Sequence, residues 1–210
     1  FERDLIPIEV NLSKKGSGSV GLFNSISGKT YPLQWIDKEH AVFILTDTIA
    51  AGKQLVLAII KIGKQQPNLS IRKNQKEVRV SITDKPIFTY HIAEVPPPPD
   101  SPSYYKRSGF IHPLYTPGGQ ILTDDFPSNH AHQHAVFHAW THTTYKGKHV
   151  DFWNQHQKSG TVQHASVIRI TEGPVFSELE TRQEYESLQF GTILSEIWTL
   201  RVYNMSSQFI

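Results

Sequence analysis

Ile6, Ile8, Val10 and Leu12 alternate with Pro7, Glu9 and Asn11, the period of two that marks a strand with one buried face. The same texture returns at 30–36, 41–46, 54–62, 78–82 and 87–92. Gly16-Ser17-Gly18 and Thr83-Asp84-Lys85-Pro86 have the composition of turns. No stretch before residue 96 keeps a 3.6-residue apolar stripe over three turns, so no helix is expected there. Alternation resumes after Gly160. Val162, His164, Ser166, Ile168 and Ile170 share one face, Glu172-Gly173-Pro174 turns the chain, and 175–181 and 192–203 alternate again. Glu178, Glu180, Glu184 and Glu186 read as a solvated strand edge. About ten to twelve short strands with turn signals between them predict an all-β chain, a large antiparallel β-sandwich.

Residues 96–103 begin with four prolines, which favour a stiff polyproline II segment. We read it as an internal connector within a single domain over 1–210. Residues 104–156 differ in texture, with ten aromatic residues, eight histidines and several Gly/Pro turns. Polar and aromatic groups gathered in loops are typical of a site carried on a scaffold.

Composition narrows the function classes. There is no cysteine, which excludes disulfides, thiolate metal sites and a cysteine nucleophile. Lys+Arg is 21 against Asp+Glu 19, too balanced for a nucleic-acid binder driven by phosphate contacts. The longest apolar run, 55–60, is far short of the ~20 residues of a membrane-spanning helix, so no membrane span is expected. Histidine stands out: 11 residues, nine of them between His112 and His164.

His130, His132, His134, His138, Trp140 and His142 all have even numbers, so a strand would place them on one face. A helix is the rival, since 130, 134, 138 and 142 are spaced by four; the flanking prolines and Thr/Trp/Tyr content favour the strand. A His-x-His pair such as His132 and His134 could converge on a divalent metal (Zn, Cu or Fe). Three histidines of one straight strand could not, because alternate residues are about 6.6 Å apart. Asp125, like its neighbour Asp124, is either a turn residue or a carboxylate working with a histidine. Asp151 is a further candidate. Trp140 and Trp153 could stack on a sugar ring, and Arg107 could clamp an anion or a hydroxyl pair.

Four stretches carry a family resemblance: Tyr105–Gly119 (YKRSGFIHPLYTPGG), Leu122–Pro127 (LTDDFP), His130–His134 (HAHQH) and Asp151–Asn154 (DFWN). They resemble the PmoA-like family of uncharacterised soluble bacterial proteins. That family's pattern is Asp-His-x-His-His-His-Gly, where this chain has Asn129, Gln133 and Ala135 in place of Asp, the middle His and Gly. More distantly, Arg107-Ser108-Gly109, His112-Pro113, His134 and Trp140 follow an order similar to galactose mutarotase-like (aldose epimerase) proteins. That likeness implies a supersandwich fold, a histidine acid and a later glutamate base for which no residue can be assigned. It also implies a longer domain, so Phe1 and Ile210 are expected to bound a truncated copy. The family resemblance favours a periplasmic or extracellular place.

The expectation is therefore a carbohydrate-acting enzyme, an epimerase, lyase or hydrolase, with a small-molecule or oligosaccharide substrate. His112, His134 and Asp125 would carry acid/base chemistry, because imidazoles titrate near neutrality. Arg107, His130, His132, Trp140, Asp151 and Trp153 would bind substrate. The alternatives are a metal-dependent enzyme using His132 and His134, or a non-catalytic carbohydrate-binding module.

Overall fold

In the computed structural model the described residues are 5–12 and 19–205. The Gly16-Ser17-Gly18 turn and the chain end at Ile210 lie outside them. The strands are β1 (Ile6–Asn11), β2 (Val20–Phe23), β3 (Thr30–Pro32), β4 (Gln34–Trp35), β5 (His40–Leu45), β6 (Ala58–Lys61), β7 (Leu69–Lys73) and β8 (Glu77–Ile82). They continue as β9 (Lys85–His91), β10 (Phe110–Leu114), β11 (Thr143–Tyr145), β12 (Lys148–Val150), β13 (Gly160–Glu172), β14 (Phe176–Ser187) and β15 (Gly191–Tyr203). The helical elements among the described residues are two 3₁₀ turns, Ser103–Tyr105 and Gln155–Gln157. The chain is all-β and built of antiparallel sheets. No helix among the described residues is long and apolar enough to cross a membrane.

The described residues fall into two compact units. One draws on Phe1–Leu69, Glu172–Ser177 and Arg201–Ile210, the other on Ser70–Thr171 and Glu178–Leu200. The first holds the sheets β1-β5-β4 and β3-β2-β6. Their apolar faces share a core of Val20, Leu22, Tyr31, Leu33, Ala41, Phe43 and Leu45. β5 is buried on both faces, because Val42 packs instead with Val175 and Phe176. That explains why Ala41–Leu45 reads as an unbroken apolar run rather than an alternation. Gln34 ties the same unit together. Its Nε2 donates to Phe176 O (3.0 Å), and its Oε1 accepts from the amides of Val175 and Phe176 (both 2.9 Å).

The second unit holds the sheet β10-β9-β8-β7, the β11–β12 hairpin and most of the sheet β13-β14-β15. β8 and β9 pair from Glu77↔His91 to Ile82↔Lys85, with Thr83 and Asp84 as a two-residue turn. Both turn residues are left-handed (φ 46° and 64°), the conformation that matches strand twist in tight hairpins. Alternation then sends Val78, Val80, Phe88 and Tyr90 inward. The Tyr90 hydroxyl meets His164 Nδ1 of β13 at 2.8 Å. The four prolines lie between β9 and β10, which pair with each other. Val95 and Arg107 bond across the base of that excursion, Val95 N to Arg107 O at 2.8 Å and Arg107 N to Val95 O at 3.3 Å. This closure fixes the backbone of Arg107.

Two expectations change. Residues 130–142 form neither one strand nor a helix, but turns and isolated bridges at His134 and Val136. Ala131 and His132 lie in a turn and Ala135 is left-handed (φ 55°), which breaks the extended path on which even positions would share a face. The glutamates of β14 are not a solvated edge either. β14 is the central strand of its sheet, Glu178 is buried, and Arg169 Nη2 contacts Glu178 (3.0 Å) and Glu180 (2.8 Å).

Candidate functional site

The loop from Tyr115 to Phe137 is pinned to the second unit by short pairings. Tyr115 bridges to Ile121, Asp125 to His134 and Ile111 to Val136. The Asp125–His134 bridge brings their side chains together, with Nδ1 of His134 2.9 Å from Asp125 Oδ1. On the other side Nε2 lies 3.2 Å from Gln155 Oε1. The Gln155 amide nitrogen already donates to Lys106 O and Thr161 Oγ1, so its oxygen is the atom that faces the ring. Phe126, Phe110 and Phe137 surround the imidazole at 4.7, 5.3 and 5.8 Å.

His134 is therefore fully buried with both nitrogens against acceptors. Burial holds its pKa below the ordinary value, against the pull of Asp125 and Gln155. Neither nitrogen is open to a substrate or a metal. The ring acts as a brace joining the 115–137 loop to the Gln155 turn. This removes His134 as the proton donor and as half of a His132/His134 metal pair. Among the described residues no group of three or more His, Cys, Asp or Glu is placed to hold a metal ion.

A second imidazole has the opposite character. His138 Nδ1 lies 2.9 Å from Glu196 Oε1 and 3.0 Å from the Tyr185 hydroxyl. That hydroxyl donates to Glu196 Oε2 at 3.0 Å. A carboxylate accepts only, so Nδ1 carries a proton, and in the neutral ring Nε2 then holds the lone pair. The His138 side chain is 45% exposed. Trp140 lies beside it, ring centroids 5.6 Å apart, and is 55% exposed. The Trp140 side chain also bears on the Tyr185 hydroxyl, whose pKa is pushed up by burial and by Glu196.

The other candidates sort by what they touch. Asp151 is buried, and its Oδ1 accepts the amides of Trp153 (2.9 Å) and Asn154 (2.7 Å) while Oδ2 accepts Asn154 Nδ2 (2.8 Å). Its carboxylate is taken up by its own turn rather than by a substrate. Trp153 packs its ring on Phe137 at 4.3 Å, in a cluster with Val150, Phe152 and Tyr185, and is a core residue. Arg107 is buried, donates from Nη2 to Phe152 O (2.9 Å) and lies over the Phe137 ring. His132 lies between His130 and His156, at ring separations of 5.8 Å and 6.3 Å respectively.

His112 stands apart from this group. Its Nδ1 meets Thr123 Oγ1 at 3.0 Å, and it lines a cleft of about 530 Å³ on one face of β10-β9-β8-β7 with His91, Glu77, Arg79, Thr89 and Tyr115. His91 donates from Nε2 to His112 O (2.7 Å), and burial keeps its pKa low. The carboxylate of Glu77 is held by Arg79 at 2.6 Å. Among the described residues no imidazole of this cleft is oriented by a carboxylate, so the proton-transfer geometry does not lie here.

Glu196, Tyr185, Gln155 and His91 were not legible as site residues. Glu196 left one trace, a carboxylate among Leu194, Trp198 and Leu200 on an otherwise apolar strand face. No curated protein and no solved structure matches the chain. Residues 77–210, which include every side chain discussed in this subsection, match the model of a family of unknown function, DUF6807. That span is more than half of the chain, and the protein belongs to the DUF6807 family.

Proposed function

We propose that the protein acts on a carbohydrate, with His138 as the proton-transfer group and Trp140 as the platform for the sugar ring. One observation carries this reading: His138 Nδ1 lies 2.9 Å from Glu196 Oε1 beside an exposed indole, a contact that favours the neutral tautomer with Nε2 as a base. A positioned imidazole of this kind takes a proton from a sugar carbon and passes it on, which contributes roughly 10²–10⁴ in rate. Tyr185 braces the carboxylate and keeps the pair in register. The likeness to mutarotase-like proteins supports a sugar substrate at the level of analogy. A lyase suits a single imidazole–carboxylate pair: the imidazole takes the proton from the sugar carbon, the bond to the neighbouring carbon's oxygen breaks, and the departing oxygen receives the proton.

The test is a screen of the intact chain against neutral sugars and oxidised sugar derivatives, followed by turnover and melting temperature. His138→Ala is expected to lose about two or more orders of magnitude in rate while still binding. Trp140→Ala is expected to weaken binding. No turnover and no melting shift with any sugar would sink the proposal. Binding that survives His138→Ala, without turnover in the wild type, would instead make this a binding module.

A further inference from the structure

We infer that His130, His132 and His156, together with the buried guanidinium of Arg107, form an oxyanion site that takes a carboxylate or a phosphate group. Two independent observations meet here. The three imidazoles gather from the 127–134 turns and the Gln155–Gln157 turn, at ring separations of 5.8 and 6.3 Å. None of their rings has a hydrogen-bond partner among the described residues. Arg107 follows Lys106, whose carbonyl accepts Gln155 Nε2 at the turn that holds His156; it is 2% exposed, and its Nε and Nη1 have no hydrogen-bond partner.

A buried guanidinium without a counter-charge is an expensive arrangement. The nearby acids do not supply one. Asp125 is engaged by His134, Asp151 by its own turn, and Glu196 by His138 and Tyr185. The Phe137 ring face gives Arg107 partial compensation at 4.8 Å. Burial first, then the neighbouring imidazoles and the Arg107 charge, hold the His132 pKa below its ordinary value. Lys158, over the Tyr104 ring, adds a further cation to the same turn.

The chemistry selects the ligand class. Imidazole and guanidinium N–H groups donate to oxyanions, and the planar guanidinium suits carboxylate and phosphate. The same positive charge opposes a metal ion, which three free imidazoles would otherwise invite. The site stands whether or not His138 turns over a sugar, because it uses neither His138 nor Trp140.

Titration calorimetry and thermal shift on the full chain at low ionic strength test it, with inorganic phosphate, D-glucuronate and D-glucose as probes. At least one anion is expected to bind with a Kd of about 10 mM or tighter, and glucose is not. The double variant His132→Ala/His156→Ala is expected to weaken that binding about tenfold or more. Its melting curve in buffer serves as the folding control, so a misfolded variant is replaced by His132→Gln. Binding of phosphate alone identifies a phosphorylated ligand, and binding of glucuronate alone a sugar acid. The inference is overturned if neither anion binds, if the folded variant binds as tightly as wild type, or if zinc binds where the anions do not.

Discussion

His138 and Glu196 face each other across 2.9 Å, imidazole Nδ1 to carboxylate Oε1, from a loop and from strand β15. In water a neutral imidazole favours the proton on Nε2, so this contact sets the tautomer. Long-range ¹H–¹⁵N spectra at a pH where His138 is neutral should show the Nδ1–H form in the wild type. Glu196→Ala should move the population toward Nε2–H. An Nε2–H wild type would remove the basis for His138 as a base.

Asp125→Ala leaves the buried Nδ1 of His134 without its acceptor. An unsatisfied buried polar group costs about 1–3 kcal/mol. Urea unfolding should show a loss in that range, and Asp125→Asn, which keeps an acceptor oxygen, should lose less. Equal stability for Asp125→Ala and wild type would mean that the brace is not holding the loop.

Gln34→Ala removes one donor and two acceptor contacts from the Val175–Phe176 backbone at once. The orphaned amides and carbonyl should together cost more than a single such group, which costs about 1–3 kcal/mol. Gly173→Ala should be at least as damaging, because a Cβ there would sit 2.3 Å from the Gln34 side chain. Denaturation midpoints for the two variants check both statements.

Burial holds the His164 imidazole down to about 4, with Lys73 adding to the effect, against an ordinary value of 6.5. His91 and His134 are shifted in the same direction by burial. Below about 6.5 the unfolded chain therefore binds protons that the folded chain refuses. Stability is fully present above 6.5 and should fall as the pH drops toward about 4. His40, raised by Asp37, works in the opposite sense at the surface. His164→Gln cannot titrate but can still meet the Tyr90 hydroxyl, so its midpoint should change less between pH 7 and 4.5. An unchanged slope would show that His164 is not a source of the acid sensitivity.

The strands that could be read from the sequence were those whose pattern is local. Ile6–Leu12, Val78–Ile82 and the run from Gly160 to Tyr203 announce themselves because successive side chains meet opposite environments. β2, β7, β10, β11 and β12 gave no such signal, since at three to five residues their pairing depends on distant partners. The 104–156 stretch was legible as the place where polar chemistry collects. Its internal geometry was not, because even spacing among histidines is a property of numbering until the backbone is known to be extended. The turn at Ala131–His132 and the left-handed Ala135 undo that condition. Glu178 misled for a related reason: its burial depends on Arg169 of the neighbouring strand, and no local pattern reports a partner.

Ala135 has one more implication. Its φ of 55° is a conformation that glycine adopts freely and alanine resists by about 1–2 kcal/mol. The resembled PmoA-like pattern has glycine at that position. The bend between the His134 brace and the His138–Glu196 pair is thus under constant tension in this chain. Replacing Ala135 with glycine should relax it, raising the melting temperature although it removes a methyl group and loosens the unfolded chain. A change that usually weakens a protein is here expected to strengthen it, and it lies at the joint where a more compliant hinge would also alter how the two histidines move against each other.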